Sequence, residues 1–351
     1  MLDDPALATL LLPFASGQLN WPETGDALFL RARAGALLRQ FAGANLTCEQ
    51  SYKPEADALA REGWRIGTAG EIAAAKYSLV LVLPPRQRLE ARALLARAVD
   101  ACTPGGTVVA CMANDEGARS GESDLAALAG LSGNLSRSHC RVYWSKTAAA
   151  TCNADLLSAW RELDAPRRIL DGRFVSRPGV FAWDRIDPAS ALLAEHLPST
   201  ISGSAADLGC GFGYLSAELL QRCPGITSLH LYEAEARALD LARDNLASHA
   251  DRVPMQFHWH DVTVGLPGRY DVIVTNPPFH AQGGDDRPDI GRAFIAAAAD
   301  GLKPGGRLWM VANRHLPYES VLDTRFGTAR IVTQAKGYKI IEAVKADGER
   351  R

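Results

Sequence analysis

No CxxC pair occurs in the 351-residue chain, and its seven cysteines (Cys48, Cys102, Cys111, Cys140, Cys152, Cys210 and Cys223) are scattered and odd in number. That pattern argues against a disulfide framework or a zinc site and for free thiols in a reducing cytoplasm. An excess of positive charge is also lacking: 38 Lys and Arg stand against 40 Asp and Glu, so any contact with nucleic acid has to be a local patch. No apolar run is long enough to cross a bilayer. Asp3 and Asp4, rather than a basic region, precede Leu10-Leu11-Leu12, so no signal peptide is expected. What is present is ordinary for a globular protein with a real core, 47% hydrophobic and 22% charged residues. At about 100–200 residues per domain, the length suggests two domains.

One stretch organises the second half. The β-branched run Asp271-Val272-Ile273-Val274-Thr275 ends in Asn276-Pro277-Pro278-Phe279-His280. It reads as a buried strand of a parallel sheet stopped by the prolines, and open α/β sheets bind ligands at the carboxyl ends of their strands. Upstream, Ala205 to Leu208 leads into Gly209-Cys210-Gly211-Phe212-Gly213 and a helical pattern from Tyr214 to Cys223. Further strands are expected at Ser228–Tyr232, Gln256–Trp259 and Arg307–Ala312, helices at Ala234–His249 and around Arg292–Gly301, and a turn at Lys303-Pro304-Gly305-Gly306. A closing hairpin is expected through Lys336-Gly337-Tyr338. The alternation predicts a mostly parallel twisted sheet with helices on both faces.

The first half repeats this plan without its chemistry. Ser78 to Arg86 echoes Asp271 to Phe279, with Leu83 for Asn276 and Arg86 for Phe279, and Thr103 to Val109 echoes Lys303 to Trp309. Leu46 to Glu49 can be laid on Leu229 to Glu233. Arg31-Ala32-Arg33-Ala34-Gly35 stands where a glycine loop would be, and such a loop cannot let a ligand approach its backbone closely. The expectation is a duplicated α/β domain whose N-terminal copy, residues 1–165, is degenerate. A linker is expected at 166–178 and an active domain at 179–351. Asp187 reads as a helix N-cap with Pro188 at the first helical position.

Gly209, Gly211 and Gly213 let the chain turn tightly and bring backbone N–H groups against a ligand. Their GxGxG spacing differs from the GxGxxG dinucleotide fingerprint, which favours a nucleoside cofactor without a pyrophosphate. Glu233 can accept both hydroxyls of a ribose, and its structural alternative is a charge at a helix N-terminus. Asp261 can accept from an adenine exocyclic amine, or be a loop aspartate. His258 and His260 flank Trp259 on one strand face and read as surface or loop-packing residues rather than metal ligands.

Asp207-Leu208-Gly209-Cys210-Gly211-Phe212-Gly213, Glu233 and Asn276-Pro277-Pro278-Phe279 together resemble a class I S-adenosylmethionine-dependent methyltransferase. Phe279-His280, Lys303 to Gly306, Asn313 to Tyr318 and Pro178 to Phe181 followed by Asp187 are similar to the bacterial 16S ribosomal RNA guanine-N2 methyltransferases. Those enzymes carry two tandem methyltransferase-like domains, of which only the C-terminal one is active. The resemblance implies S-adenosyl-L-methionine as cofactor, held by Asp207, Gly209, Gly211, Gly213, Glu233, Asp261 and Asn276, and ribosomal RNA of the small subunit as partner. Catalysis is then expected from Asn276, Pro277, Pro278 and Phe279, with Phe279 and His280 on the substrate base and no metal. The Asn276 oxygen and the Pro277 carbonyl would accept the two N–H bonds of the amine and stabilise positive charge growing on its nitrogen.

Other acceptors stay open: guanine in 23S ribosomal RNA, adenine, or a protein glutamine. So does a non-enzymatic ribosome assembly factor, while an NAD-dependent oxidoreductase is disfavoured by the glycine spacing. Candidate RNA contacts are Arg31, Arg33 and Arg39; Arg86, Arg88 and Arg92; and Arg137, Arg141 and Lys146 with Tyr143 and Trp144. A cytoplasmic monomer is expected, with no membrane contact.

Overall fold

The computed structural model describes residues 4–148, 150–278 and 288–347. The chain divides into two compact units, one of residues 1–166 and 177–179, the other of residues 167–176 and 180–351.

In the first unit, β1 (Asp26–Leu30), β2 (Leu46–Glu49), β3 (Arg65–Ile66), β4 (Tyr77–Val82), β5 (Cys102–Ala113), β6 (Gly133–Arg137) and β7 (Cys140–Lys146) form one sheet in the order β3-β2-β1-β4-β5-β7-β6. The stretch expected as a linker instead holds a two-stranded hairpin, β8 (Arg167–Ile169) and β9 (Phe174–Ser176), grouped with the second unit. The hairpin bends at residues 170–173, and Phe174 is buried against Phe212. The sheet of the second unit holds β10 (Ser202–Leu208), β11 (Gly225–Glu233), β12 (Met255–Trp259), β13 (Tyr270–Thr275), β14 (Leu302–Asn313), β15 (Thr328–Ala335) and β16 (Tyr338–Val344). Their order is β12-β11-β10-β13-β14-β16-β15, the same path through the sheet as in the first unit.

The inner strands carry apolar residues at successive positions, such as Leu79 to Val82 and Val272 to Val274, because both faces are covered. Val272 and Val274 enter one core and Ile273 the other. In the first unit Leu79 and Leu81 divide from Val80 and Val82 in the same way. The expected Lys303–Gly306 turn lies inside β14, where the partners of Tyr270 and Val272 are Leu302 and Arg307, so the Pro-Gly-Gly segment bulges out between two paired positions.

The registers fix which residues correspond. Leu30 pairs with Glu49 and Val82, and Leu208 pairs with Tyr232 and Thr275. Leu83 therefore stands where Asn276 does and Phe29 where Asp207 does. The expected overlay of Leu46 to Glu49 on Leu229 to Glu233 sets four residues on five, and the pairing aligns Leu46 with Leu229, so the counterpart of Glu233 is Gln50. Strand composition alone cannot decide this, because register is a pairing property.

Candidate functional site

β10 leads to β11 on one side, and β13 lies on its other side, so the crevice past Leu208 and Thr275 is a topological switch point. Thr275 Oγ1 donates to the Leu208 carbonyl at 2.7 Å, tying the two strand ends together. A cleft opens there. It is lined by Phe181, Ala182, Asp187 and Ser190, by Asp207, Gly209, Cys210, Gly211, Phe212, Tyr214 and Leu215, and by Asn276.

The glycine loop has the backbone its sequence demands: Gly209, Gly211 and Gly213 have φ of 73°, 55° and 92°. Their surroundings differ. A Cβ on Gly211 would meet nothing within 4 Å, leaving room for a ligand, whereas one on Gly213 would lie 3.3 Å from the Ala242 backbone. Gly211 lines the cavity and Gly213 does not; Gly213 lets the helix Tyr214–Arg222 start close to the helix Ala236–Asn245.

Glu233 lies outside the cavity lining but is joined to it. Its Oε2 accepts from Gly211 N at 2.8 Å and its Oε1 from Glu235 N at 2.9 Å, while burial pushes its carboxyl above the ordinary range. Asp207 is buried, accepts from Ser216 Oγ at 2.7 Å, and has its pKa raised by burial to about 7. Asp261 Oδ1 accepts from Thr263 N and Oγ1 at 2.9 and 2.6 Å, capping a short 3-10 turn, and is absent from the cavity lining.

Asn276 sits at the end of β13 with a defined orientation. Its Nδ2 donates to Asp187 Oδ2 at 2.9 Å and to Ser190 Oγ at 2.8 Å. Its Oδ1 is buried and has no hydrogen-bond partner among the described residues. Asp187 also caps the helix Pro188–His196, as expected, by accepting from Ser190 N at 2.8 Å. Its contact with Asn276 was not legible, because 89 residues separate the two in the chain. Phe181, 68% exposed, also lines the cavity unforeseen. Pro277 and Pro278 follow Asn276 but do not line the cavity, and Phe279 and His280 lie outside the described residues.

The structure corrects one RNA-contact expectation. Tyr143 and Trp144 are buried, because β7 lies between β5 and β6 and its side chains enter both cores, so neither ring is free to stack on a base. Several of the arginines are paired: Arg33 with Asp4, Arg141 with Glu122, and Arg88 and Arg92 with Asp124. Arg86 is exposed. His258 packs on the face of the sheet rather than at a surface loop, its ring stacked on Tyr232 at 4.5 Å and on His230 at 5.3 Å. Among the described residues no group of three or more His, Cys, Asp or Glu side chains could hold a metal ion, and no helix is long and apolar enough to cross a membrane.

A family model described as the methyltransferase small domain matches residues 171–342. The ribosomal RNA small subunit methyltransferase C of Salmonella paratyphi A is 32% identical over 261 residues, covering 74% of this chain and 73% of that protein. Its namesake from Citrobacter koseri is 33% identical over 260 residues, with the same coverage of 74% and 73%. A solved structure of the T. thermophilus 16S rRNA N2 methyltransferase, in complex with AdoMet and guanosine, superposes with a TM-score of 0.78 at 26% identity, covering 97% of this chain and 92% of that one. Strand order, switch-point crevice and glycine loop define the class I methyltransferase fold, here present as two tandem sheets. Within that class, the chain belongs to the ribosomal RNA small subunit methyltransferase C family.

Proposed function

We propose that the second unit binds S-adenosyl-L-methionine in the glycine-loop cavity and transfers its methyl group to the exocyclic N2 amine of a guanine in 16S ribosomal RNA. The observation that carries this reading is Asn276, which lines the cavity and whose buried Oδ1 has no hydrogen-bond partner among the described residues. A buried acceptor without a donor costs about 1–3 kcal/mol. An amine N–H offsets that cost.

The residues fit the cofactor. Gly211 leaves open space beside its backbone and Glu233 keeps lone pairs for ribose hydroxyls; Asp261, on the turn after β12, would accept from an adenine amine, and Asp207 would offer a carboxylate to a cationic group. When bound, the cofactor supplies an electrophilic methyl on a sulfonium. Asn276 Oδ1 and the Pro277 carbonyl then accept the two amine N–H bonds, turn the nitrogen lone pair out of the ring, and stabilise the positive charge that develops. Phe279 stacks on the base and His280 contacts the nucleotide, which must leave its stack to enter. Pro278 stiffens the turn. No general base is needed, because the methylated ammonium is acidic and loses its proton afterwards.

The first unit, lacking the counterparts of Asp207 and Asn276, serves RNA recognition. The partner is ribosomal RNA within the small subunit, and the enzyme acts as a cytoplasmic monomer. Incubating the protein with labelled cofactor and isolated small subunits, then mapping the modified nucleoside, tests the proposal. N2-methylguanosine is expected; label on adenosine or on protein overturns it.

A further inference from the structure

We infer that Asp187 and Ser190 are positioning residues that lock the Asn276 carboxamide so that only its oxygen is presented to the base, making the site selective for an amino group. This inference rests on the methyl-transfer reading above. A free asparagine amide can turn over, exchanging a donor end for an acceptor end of nearly the same shape. Here one end is fixed: Nδ2 donates to Asp187 Oδ2 at 2.9 Å and Ser190 Oγ at 2.8 Å. An ionised carboxylate only accepts. Turning the amide would set its oxygen against that carboxylate and aim two N–H donors at the substrate.

The lock is anchored in the fold. The same Asp187 oxygen accepts from Ser190 N at 2.8 Å, so the start of the helix Pro188–His196 holds the carboxylate in place. Hydrogen bonds in series polarise one another. The Asp187 charge draws on the amide N–H bonds and leaves Oδ1 a stronger acceptor, matched to an amine that grows positive during transfer. An acceptor-only face recognises an exocyclic NH₂ and rejects a ring carbonyl such as guanine O6.

The alternative is that Asp187 only caps its helix. Asp187→Asn separates the two, because Asn caps a helix about as well as Asp yet brings an NH₂ that can bond Asn276 Oδ1. In the full-length protein, D187N should keep its melting temperature and cofactor affinity while kcat on small subunits falls by about 10- to 100-fold. Ser190→Ala should lower kcat less. Independently of turnover, the Asn276 side-chain NH₂ protons, followed by NMR with labelled asparagine, should be protected from solvent exchange in the unsubstituted protein and lose protection in Asp187→Ala. An unchanged kcat in D187N, or a kcat loss matched by equal losses in melting temperature and cofactor affinity, overturns the lock. So do unprotected Asn276 protons in the parent protein. If the parent protein transfers no methyl group, the reaction reading fails, and the exchange measurement still decides the lock.

Discussion

Gln50 and Glu233 hold the same place in two copies of one sheet. Gln50 Oε1 accepts from Tyr52 N at 2.9 Å, and Glu233 Oε1 accepts from Glu235 N at 2.9 Å. The backbone bond survives in both units, and the charge survives only in the second. Glu233→Gln keeps the bond from Glu235 N but sets an NH₂ against Gly211 N–H, so it should lower the melting temperature modestly and lose cofactor affinity. A charged acceptor contributes about 1.5–3 kcal/mol, so a Kd increase of about 10- to 100-fold is expected by calorimetry with S-adenosyl-L-methionine.

The glycines of the loop should part company. Gly211→Ala puts a methyl into the open space proposed for the cofactor, so cofactor binding should fail while the melting temperature drops little beyond the about 1–2 kcal/mol cost of a left-handed Ala. Gly213→Ala carries the same backbone strain and also presses on the Ala242 backbone, so thermal unfolding should show the larger stability loss there.

Asp207 should leave a signature in stability against pH. Burial raises its pKa to about 7 in the folded chain, and an unfolded aspartate ionises near 3.9. Between those values the folded state holds a proton that the unfolded state has lost. Its contribution is fully present below about pH 4 and is lost as pH rises toward 7, by up to about 4 kcal/mol. Denaturant titrations of Asp207→Asn should lack this slope.

The stacked His230 and His258 should act in the opposite direction. Burial holds both imidazoles below the ordinary histidine value, and their rings face each other with Nδ1 and Nε2 3.1 Å apart. Folding keeps them neutral, so their contribution is present above about pH 6.5 and lost as pH falls below it. His258→Phe should flatten the acid limb of the stability profile.

Much of this was legible in the chain. The run from Asp271 to Thr275, the glycine loop and the repeated double proline are local patterns, and they located the strands that meet at the crevice. The contact of Asp187 with Asn276 was not legible, nor was which residue answers to Glu233, since both depend on which distant segments pair. Tyr143 and Trp144 misled because a basic-aromatic stretch looks the same whether its rings face solvent or two cores.

The most direct test is Asn276→Ala, assayed at once for cofactor binding and for single-turnover methyl transfer to small subunits. Removing one donor or acceptor that stabilises developing charge costs about 100- to 1,000-fold. We expect cofactor affinity to stay near that of the parent protein and transfer to fall by that factor. Near-normal transfer by Asn276→Ala would contradict the assignment of its oxygen to the amine.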